Sequence, residues 1–314
     1  MKIKHKLLIL VGAVVFAGIS CLNLVFADGK KFAISPMSQK VILVPGEVYK
    51  GGITVSNPAD STENFNYVVS VSPYSLAEDT TTDDNLGGSD FDTRNQYNQI
   101  ADWIKVDNPK GEVAPNEQKT VSFEITVPEA APAGGQYAAL IVQEDKDAAA
   151  NENNIAVDEI MRMAHIIYAE VAGETKRDGE ILENNIPGFF TSSPLRASSM
   201  VKNKGNVDTQ AEYTLQVWPL FSDEEICTNE EKPTEIRVMP ETNNYHMEEC
   251  NVPSIGIFRV KQTVKIFDEV SETEKTVLFC PVWILFIIIF VVIAIIIWIV
   301  MKIRSRNSAK NREL

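Results

Sequence analysis

Twenty consecutive residues without a charge, Val282 to Met301, constrain the topology of everything else in the chain. At about 1.5 Å per helical residue such a run spans a hydrocarbon core of about 30 Å. Only a helix satisfies its own backbone in lipid, so even this Ile-rich, β-branched stretch is predicted to be helical. Trp283 and Trp298 lie near its ends, where amphipathic rings favour the membrane–water interface. Lys302, Arg304, Arg306, Lys310 and Arg312 follow, against a single Glu313. The positive-inside rule places this basic tail, 302–314, in the cytoplasm and everything before the 280–301 span outside.

The start of the chain agrees with export. Lys2, Lys4 and Lys6 precede a long apolar run that ends in Val25-Phe26-Ala27 before Asp28, the pattern of a signal peptide over 1–27. The apolar core is long enough to leave an uncleaved anchor open as the alternative. Cys21 falls inside this segment and is read as filler.

Between the two apolar segments lie 21 of the 29 basic residues and 42 of the 43 acidic ones, a formal charge of −21. That balance excludes nucleic-acid binding by phosphate neutralisation and leaves an anionic wall, divalent cations or a basic partner as neighbours. Cysteine is scarce. Outside the cytoplasm Cys227 and Cys250 are the expected disulfide, closing a loop of 24 residues, with free thiols or a metal site as alternatives. The exported part contains only His165 and His246 as further soft ligands, which argues against zinc, and no cofactor is expected. Cys280 sits at the membrane edge, in either a packing or a lipid-attachment role.

The chain carries an internal repeat. Ile53-Thr-Val-Ser-Asn57 runs to Tyr67 and then Val71-Ser-Pro73; Ser199-Met-Val-Lys-Asn203 runs to Tyr213 and then Val217-Trp-Pro219, at identical spacings. Val113-Ala-Pro115 precedes Val127-Pro128 as Val238-Met-Pro240 precedes Val252-Pro253. Gly135-Gln-Tyr137 and Gly256-Ile-Phe258 then lead into apolar strands, with Ala130-Ala-Pro-Ala as four extra residues in the first copy. Tyr67, Val69, Val71 and Tyr213, Leu215, Val217 alternate as half-buried strands do. Short strands between Pro, Gly and Asn turns predict an all-β fold, two tandem immunoglobulin-like β-sandwich domains over 28–175 and 176–279. One phase is awkward: the positions matching Val121, Phe123, Ile125 and Val127 are His246, Glu248, Cys250 and Val252, so a bulge is expected there. Lys146 to Glu159 reads as an acidic connection, helical or mobile.

Chemistry is sparse. There is no Gly-x-Ser-x-Gly elbow, no His-Glu-x-x-His and no phosphate-binding Gly-Lys-Ser/Thr loop. Ser199 and Lys202 satisfy Ser-x-x-Lys, but residues three apart on a strand face opposite sides. No enzyme is expected, and His165 reads as structural. The longest irregular stretch, Ala77 to Thr93, gathers Asp79, Asp83, Asp84, Asp90 and Asp92 without helix-loop-helix calcium spacing. It reads as a solvated acidic loop and as the first place to look for binding.

Ile34-Ser-Pro36, Pro45-Gly46, Ile53-Thr-Val-Ser-Asn57, Tyr67, Trp103-Ile-Lys-Val106, Gly134-Gly-Gln-Tyr137, Ile166-Ile-Tyr168 and Val171-Ala-Gly173 stand in an order that resembles the WxL-interacting bacterial surface proteins. Pro187-Gly-Phe-Phe-Thr191 and Lys202-Asn-Lys-Gly-Asn206 continue the likeness. The resemblance implies a signal peptide, two immunoglobulin-like domains, a membrane helix and a basic tail. It implies peptidoglycan binding by the first domain and a surface-protein partner for the second. The Cys227/Cys250 pair departs from that pattern. The functional expectation is a membrane-anchored, non-enzymatic adaptor for cell-wall polymer or another surface protein. The alternative is an extracytoplasmic accessory or chaperone-like protein that offers a sheet edge to a secreted or pilus-type client.

Overall fold

The computed structural model describes residues 32–76, 88–145 and 161–310. The expected signal peptide over 1–27, most of the acidic loop (with Asp79, Asp83 and Asp84) and the 146–159 connection lie outside the described residues. In the first half β1 (Ala33–Ser35), β3 (Val48–Ser56), β9 (Gln118–Thr126) and β7 (Ile104–Val106) form one sheet, in the order β1-β3-β9-β7. The facing sheet is β2-β11-β10-β4-β8, from β2 (Ser38–Leu43), β4 (Phe65–Pro73), β8 (Lys110–Val113), β10 (Gly134–Glu144) and β11 (Arg162–Val171). A short ribbon pairs β5 (Ser75–Leu76) with β6 (Ser89–Asp90).

The second half repeats the plan. β12 (Gly179–Asn185), β14 (Leu195–Asn203) and β18 (Asn243–Cys250) face a sheet of β13 (Phe189–Phe190), β20 (Glu269–Phe279), β19 (Gly256–Ile266), β15 (Thr209–Pro219) and β16 (Cys227–Thr228). β17 (Thr234–Val238) also pairs with β15. In each half the chain enters antiparallel in one sheet (β1 on β3, β12 on β14) and crosses to lie parallel to the closing strand of the other (β2 on β11, β13 on β20). These are two immunoglobulin-like sandwiches. The last strand ends at Phe279 and α1 (Val282–Lys310) begins three residues later. Its apolar part, Val282–Lys302, has a mean hydropathy of 3.6 and is long enough to cross a membrane.

The repeated residues have one physical reason. Asn57 is buried, and its Nδ2 donates to Glu63 O and Val113 O, at 2.9 and 3.0 Å. Asn203 does the same with Val207 O and Val238 O, at 2.8 and 3.1 Å. Each asparagine ties its own hairpin turn to the strand that crosses beside it. Tyr67 and Tyr213 are buried at the matching strand positions.

Two expectations need correction. Gly135-Gln-Tyr137 and Gly256-Ile-Phe258 are not equivalent: Pro73 pairs with Ala138, whereas Pro219 pairs with Phe258. The first copy thus carries five extra residues, not four, between Pro128 and this strand. A one-residue offset moves a side chain to the other face of a sheet. Phe258 accordingly points into the core, and Tyr137 points outward toward the second half. The expected bulge is also absent from β18, which pairs with β14 without a shift from Leu195↔Cys250 to Lys202↔Asn243. The register shift lies instead in β12, between Ile181 and Glu183.

Candidate functional site

The two sandwiches meet at a cleft of about 250 Å³, lined among others by Tyr74, Leu76, Asp90, Tyr97, Met239 and Pro240. Tyr137 lines its floor; with Ala139, Ile166 and Tyr168 on the outer face of the β10/β11 sheet it forms a cluster that includes Met239 of the other half. Tyr74, just past β4, packs edge-on against Tyr168 with ring centroids 6.0 Å apart, and Tyr168 packs likewise on Tyr137. Phe91 lies 5.7 Å from Tyr74. The described flanks of the acidic loop are therefore laid over this sheet face.

Polar side chains fasten the segment after the loop. The Asp90 carboxylate accepts Asp92 N–H and Thr93 N–H at 2.8 and 3.0 Å. Hydrogen bonding from the Thr93 side chain, then from these amides, holds its carboxyl below the ordinary range. Buried Asn98 donates to Thr93 O and accepts Asn95 N–H, closing the next turn. Buried Gln136 donates to Gln96 O and accepts Ile100 N–H, so β10 grips both ends of this stretch. Tyr97 is left half-buried at the cleft, and burial followed by nearby Glu241 raises its phenol pKa.

Beneath the cleft the halves are latched. Tyr137 Oη donates to Asp208 Oδ1 at 3.1 Å and accepts Asp208 N–H at 2.9 Å. Arg237 pairs with Asp208 Oδ2, and its guanidinium lies 4.1 Å from the Tyr168 ring centroid. Burial first, and Asp208 second, push the Tyr137 phenol far above its ordinary pKa, so the hydroxyl stays a donor. Alongside, Gly135 N–H donates to Asn206 O at 2.7 Å, and Asn206 Nδ2 reaches Ala133 O and Glu174 O. Gly134, at φ +112°, allows this approach: a Cβ there would sit 2.6 Å from Asn206 O.

The residues singled out from sequence fare unevenly. The sulfurs of Cys227 and Cys250 are joined at 2.07 Å with Cα atoms 6.4 Å apart, in the second sandwich and away from the cleft. Cys280 is free, between Phe279 and the helix. His165 is buried in the first core with Nδ1 2.7 Å from Pro36 O. Ser199 is buried with Oγ toward His246 O, and Lys202 lies on the opposite, partly exposed side of β14. Trp218 lies at the end of β15, 5.8 Å beneath the Arg259 guanidinium. Among the described residues no three His, Cys, Asp or Glu side chains gather to hold a metal ion. Sequence reasoning missed the Tyr137–Asp208–Arg237 latch. An outward-facing tyrosine beside two glycines was the only signal for it, and a misplaced repeat hid its direction.

No family model matches the chain, and no curated protein matches it. Among solved structures it is similar to the class 5 fimbriae chaperone CfaA, at 11% identity over 78% of this chain and 99% of that one, with a TM-score of 0.38. The E. coli chaperone DraB aligns at 12% identity over 78% and 96%, with a TM-score of 0.34. The Salmonella enterica structure of SafA pilin with the SafB chaperone gives 12% identity over 79% and 96%, at 0.33. Scores this low carry no correspondence of residues or domain placement, so the site rests on its own geometry.

Proposed function

We propose that this chain is a membrane-tethered, non-enzymatic accessory protein that holds an exported protein client outside the cytoplasm. The client is gripped in the cleft between the sandwiches through a segment with apolar and basic side chains. The observation that supports this reading is the cleft itself. Both halves build it: tyrosine, leucine, methionine and proline line it together with Ser75, Thr93, Asn95 and Thr242, and among the described residues Asp90 is its only charged lining residue. A cleft that mixes apolar walls with polar groups suits an anchoring side chain fixed by a few hydrogen bonds, and the charge of −21 outside the membrane favours a basic segment.

The sheet-edge mode of client binding is less favoured in the first sandwich, where closing strand β11 lies between β10 and β2 and the outer strands β1, β2, β7 and β8 have three to six residues each. In the second sandwich β12 and β18 are outer strands of seven and eight residues, and there the sheet-edge mode stands as the second reading. The wall-polymer reading has less support, because two of the cleft's three tyrosine rings, Tyr74 and Tyr137, are buried and only Tyr97 is partly open.

Full-length protein in nanodiscs should bind a model peptide rich in Lys and Leu more tightly than soluble muropeptides. Met239→Lys should abolish the peptide binding. Preferential muropeptide binding, unaffected by Met239→Lys, would sink the assignment. For the orientation, protease added to intact wall-stripped cells should digest the sandwiches and spare an epitope on the 302–314 tail. Cleavage of the tail would reverse it.

A further inference from the structure

The end of the second sandwich that feeds the helix is not dressed for water. Phe221 is 94% exposed and Ile255 57%, and Phe189, Ile257 and Leu278 are exposed beside them. Strand register gathers these residues at one place. Ile257 pairs with Leu278, Leu278 with Phe189, and Leu220 N–H donates to Ile257 O just before Phe221. Isolated exposed apolar side chains are ordinary, but a group of five on one rim marks a contact surface.

What covers the rim follows from covalent continuity. Gly256 pairs with Phe279, so the rim lies at the strand end where the chain leaves the sandwich. Only Cys280 and Pro281 separate Phe279 from Val282 at the head of α1. Three residue steps of backbone reach about 10 Å at full extension, only a few ångströms more than the roughly 5–8 Å of headgroup layer on each side of the hydrocarbon core. Cys280 N–H donates to Phe190 O at 3.0 Å, which ties the connection down further. If the apolar stretch of α1 crosses a bilayer, this rim cannot stand clear of it.

We infer that Phe189, Phe221, Ile255, Ile257 and Leu278 rest in the interfacial layer of the same bilayer that α1 crosses, holding the second sandwich against the lipid surface; this builds on the membrane-tethered reading. The contact is apolar rather than electrostatic. Asp223, Glu224 and Glu225 follow Phe221 after one serine, so anionic lipid gains nothing from this end of the domain. A domain docked on lipid in this way presents the cleft at a fixed height above the membrane instead of swinging on a tether.

The test uses the full chain in phosphatidylcholine nanodiscs, with Cys21→Ser and Cys280→Ser and a nitroxide at one introduced cysteine. Phe221→Cys probes the rim, Lys119→Cys the far end of the first sandwich, and Ile293→Cys the middle of the helix. Collision of the label with oxygen, which concentrates in lipid, is compared with collision with a water-soluble nickel chelate. The oxygen-to-nickel ratio at 221 should be severalfold that at 119 and below that at 293, and replacing a third of the lipid with phosphatidylglycerol should not raise it. A ratio at 221 equal to that at 119, with 293 deep, overturns the inference while leaving the span intact. An aqueous 293 would overturn the span and this inference together.

Discussion

Compared position by position, the two sandwiches share their turns and not their cores. Strand register makes Ile53 equivalent to Ser199, Val121 to His246, and Phe123 to Glu248; Val142 matches Gln262 in the facing sheets. Four apolar side chains in the first half thus correspond to four polar ones in the second. The first core is one continuous cluster from Phe32 to Val171. The second is divided, with Leu195, Leu215 and Phe279 in one part and Val201, Tyr213 and Ile266 in the other. Between them His246 Nε2 lies 3.0 Å from Glu248 Oε1, and Gln262 Nε2 contacts Ala197 O at 3.5 Å. The fold survives this because the asparagine clamps at 57 and 203 fix the hairpins, while core composition only sets how strongly each half is held. The second half has the disulfide at one end of its divided core, where Cys250 is buried.

The sharpest break is in the first half. Phe123 is fully buried at the centre of the undivided core, so Phe123→Ala should cost about 4 kcal/mol. Hydrogen exchange should rise in β3, β9 and β10 and not in β14 or β19. Equal loss of protection in both halves would mean that they unfold as one unit. The second half should instead depend on its crosslink. Cys227→Ala with Cys250→Ala, or reduction of the wild type, should cost about 3 kcal/mol there by the loop-closure estimate. Mass spectrometry of non-reduced protein should find the linked peptide; two free thiols in fresh protein would remove the basis of this contrast.

Smaller again is the coupling between halves. Tyr137→Phe deletes the hydroxyl that donates to Asp208 and accepts its amide, and should cost about 1–2 kcal/mol. Exchange should quicken first in β10 and in the 203–208 turn. No change at either place would show the latch to be passive.

The smallest effect is a difference in pH window. Burial lowers the His165 pKa below its ordinary 6.5, with Nδ1 held as a donor to Pro36 O. The unfolded chain therefore takes up this proton first, so first-half stability is full above pH 6.5 and falls as pH drops below it. Burial disfavours charge on Glu248, but hydrogen bonds from His246 and Thr234 outweigh it and leave its pKa below the ordinary 4.5. Its contribution is present above pH 4.5 and is lost only as pH falls further. His165→Phe should flatten the first half's slope below pH 6.5, and Glu248→Gln should flatten the second half's slope below pH 4.5. A slope near pH 6 that survives His165→Phe would refute the assignment.

These contrasts also show what the sequence could reveal. Asn57, Tyr67, Pro73 and their partners Asn203, Tyr213, Pro219 were legible because each serves a local hairpin whose spacing cannot vary. The apolar run after Val282 was legible from length alone. The Gly-x-aromatic match was misread because it equated Tyr137 with Phe258, which occupy opposite faces once the extra residues before β10 are counted. The cleft was half legible. The acidic loop pointed to it, but Met239, Asp208 and Arg237 come from the other sandwich, and no local pattern announces a contact over so long a separation.

The central claim, that the cleft receives a protein client, is tested most directly in living cells by a photoreactive phenylalanine at position 97, with position 119 as the control. Light should produce adducts from 97 that shrink on protease treatment, resist muramidase, and vanish when Met239→Lys is added. Adducts that muramidase removes, or equal adducts from 97 and 119, would contradict it.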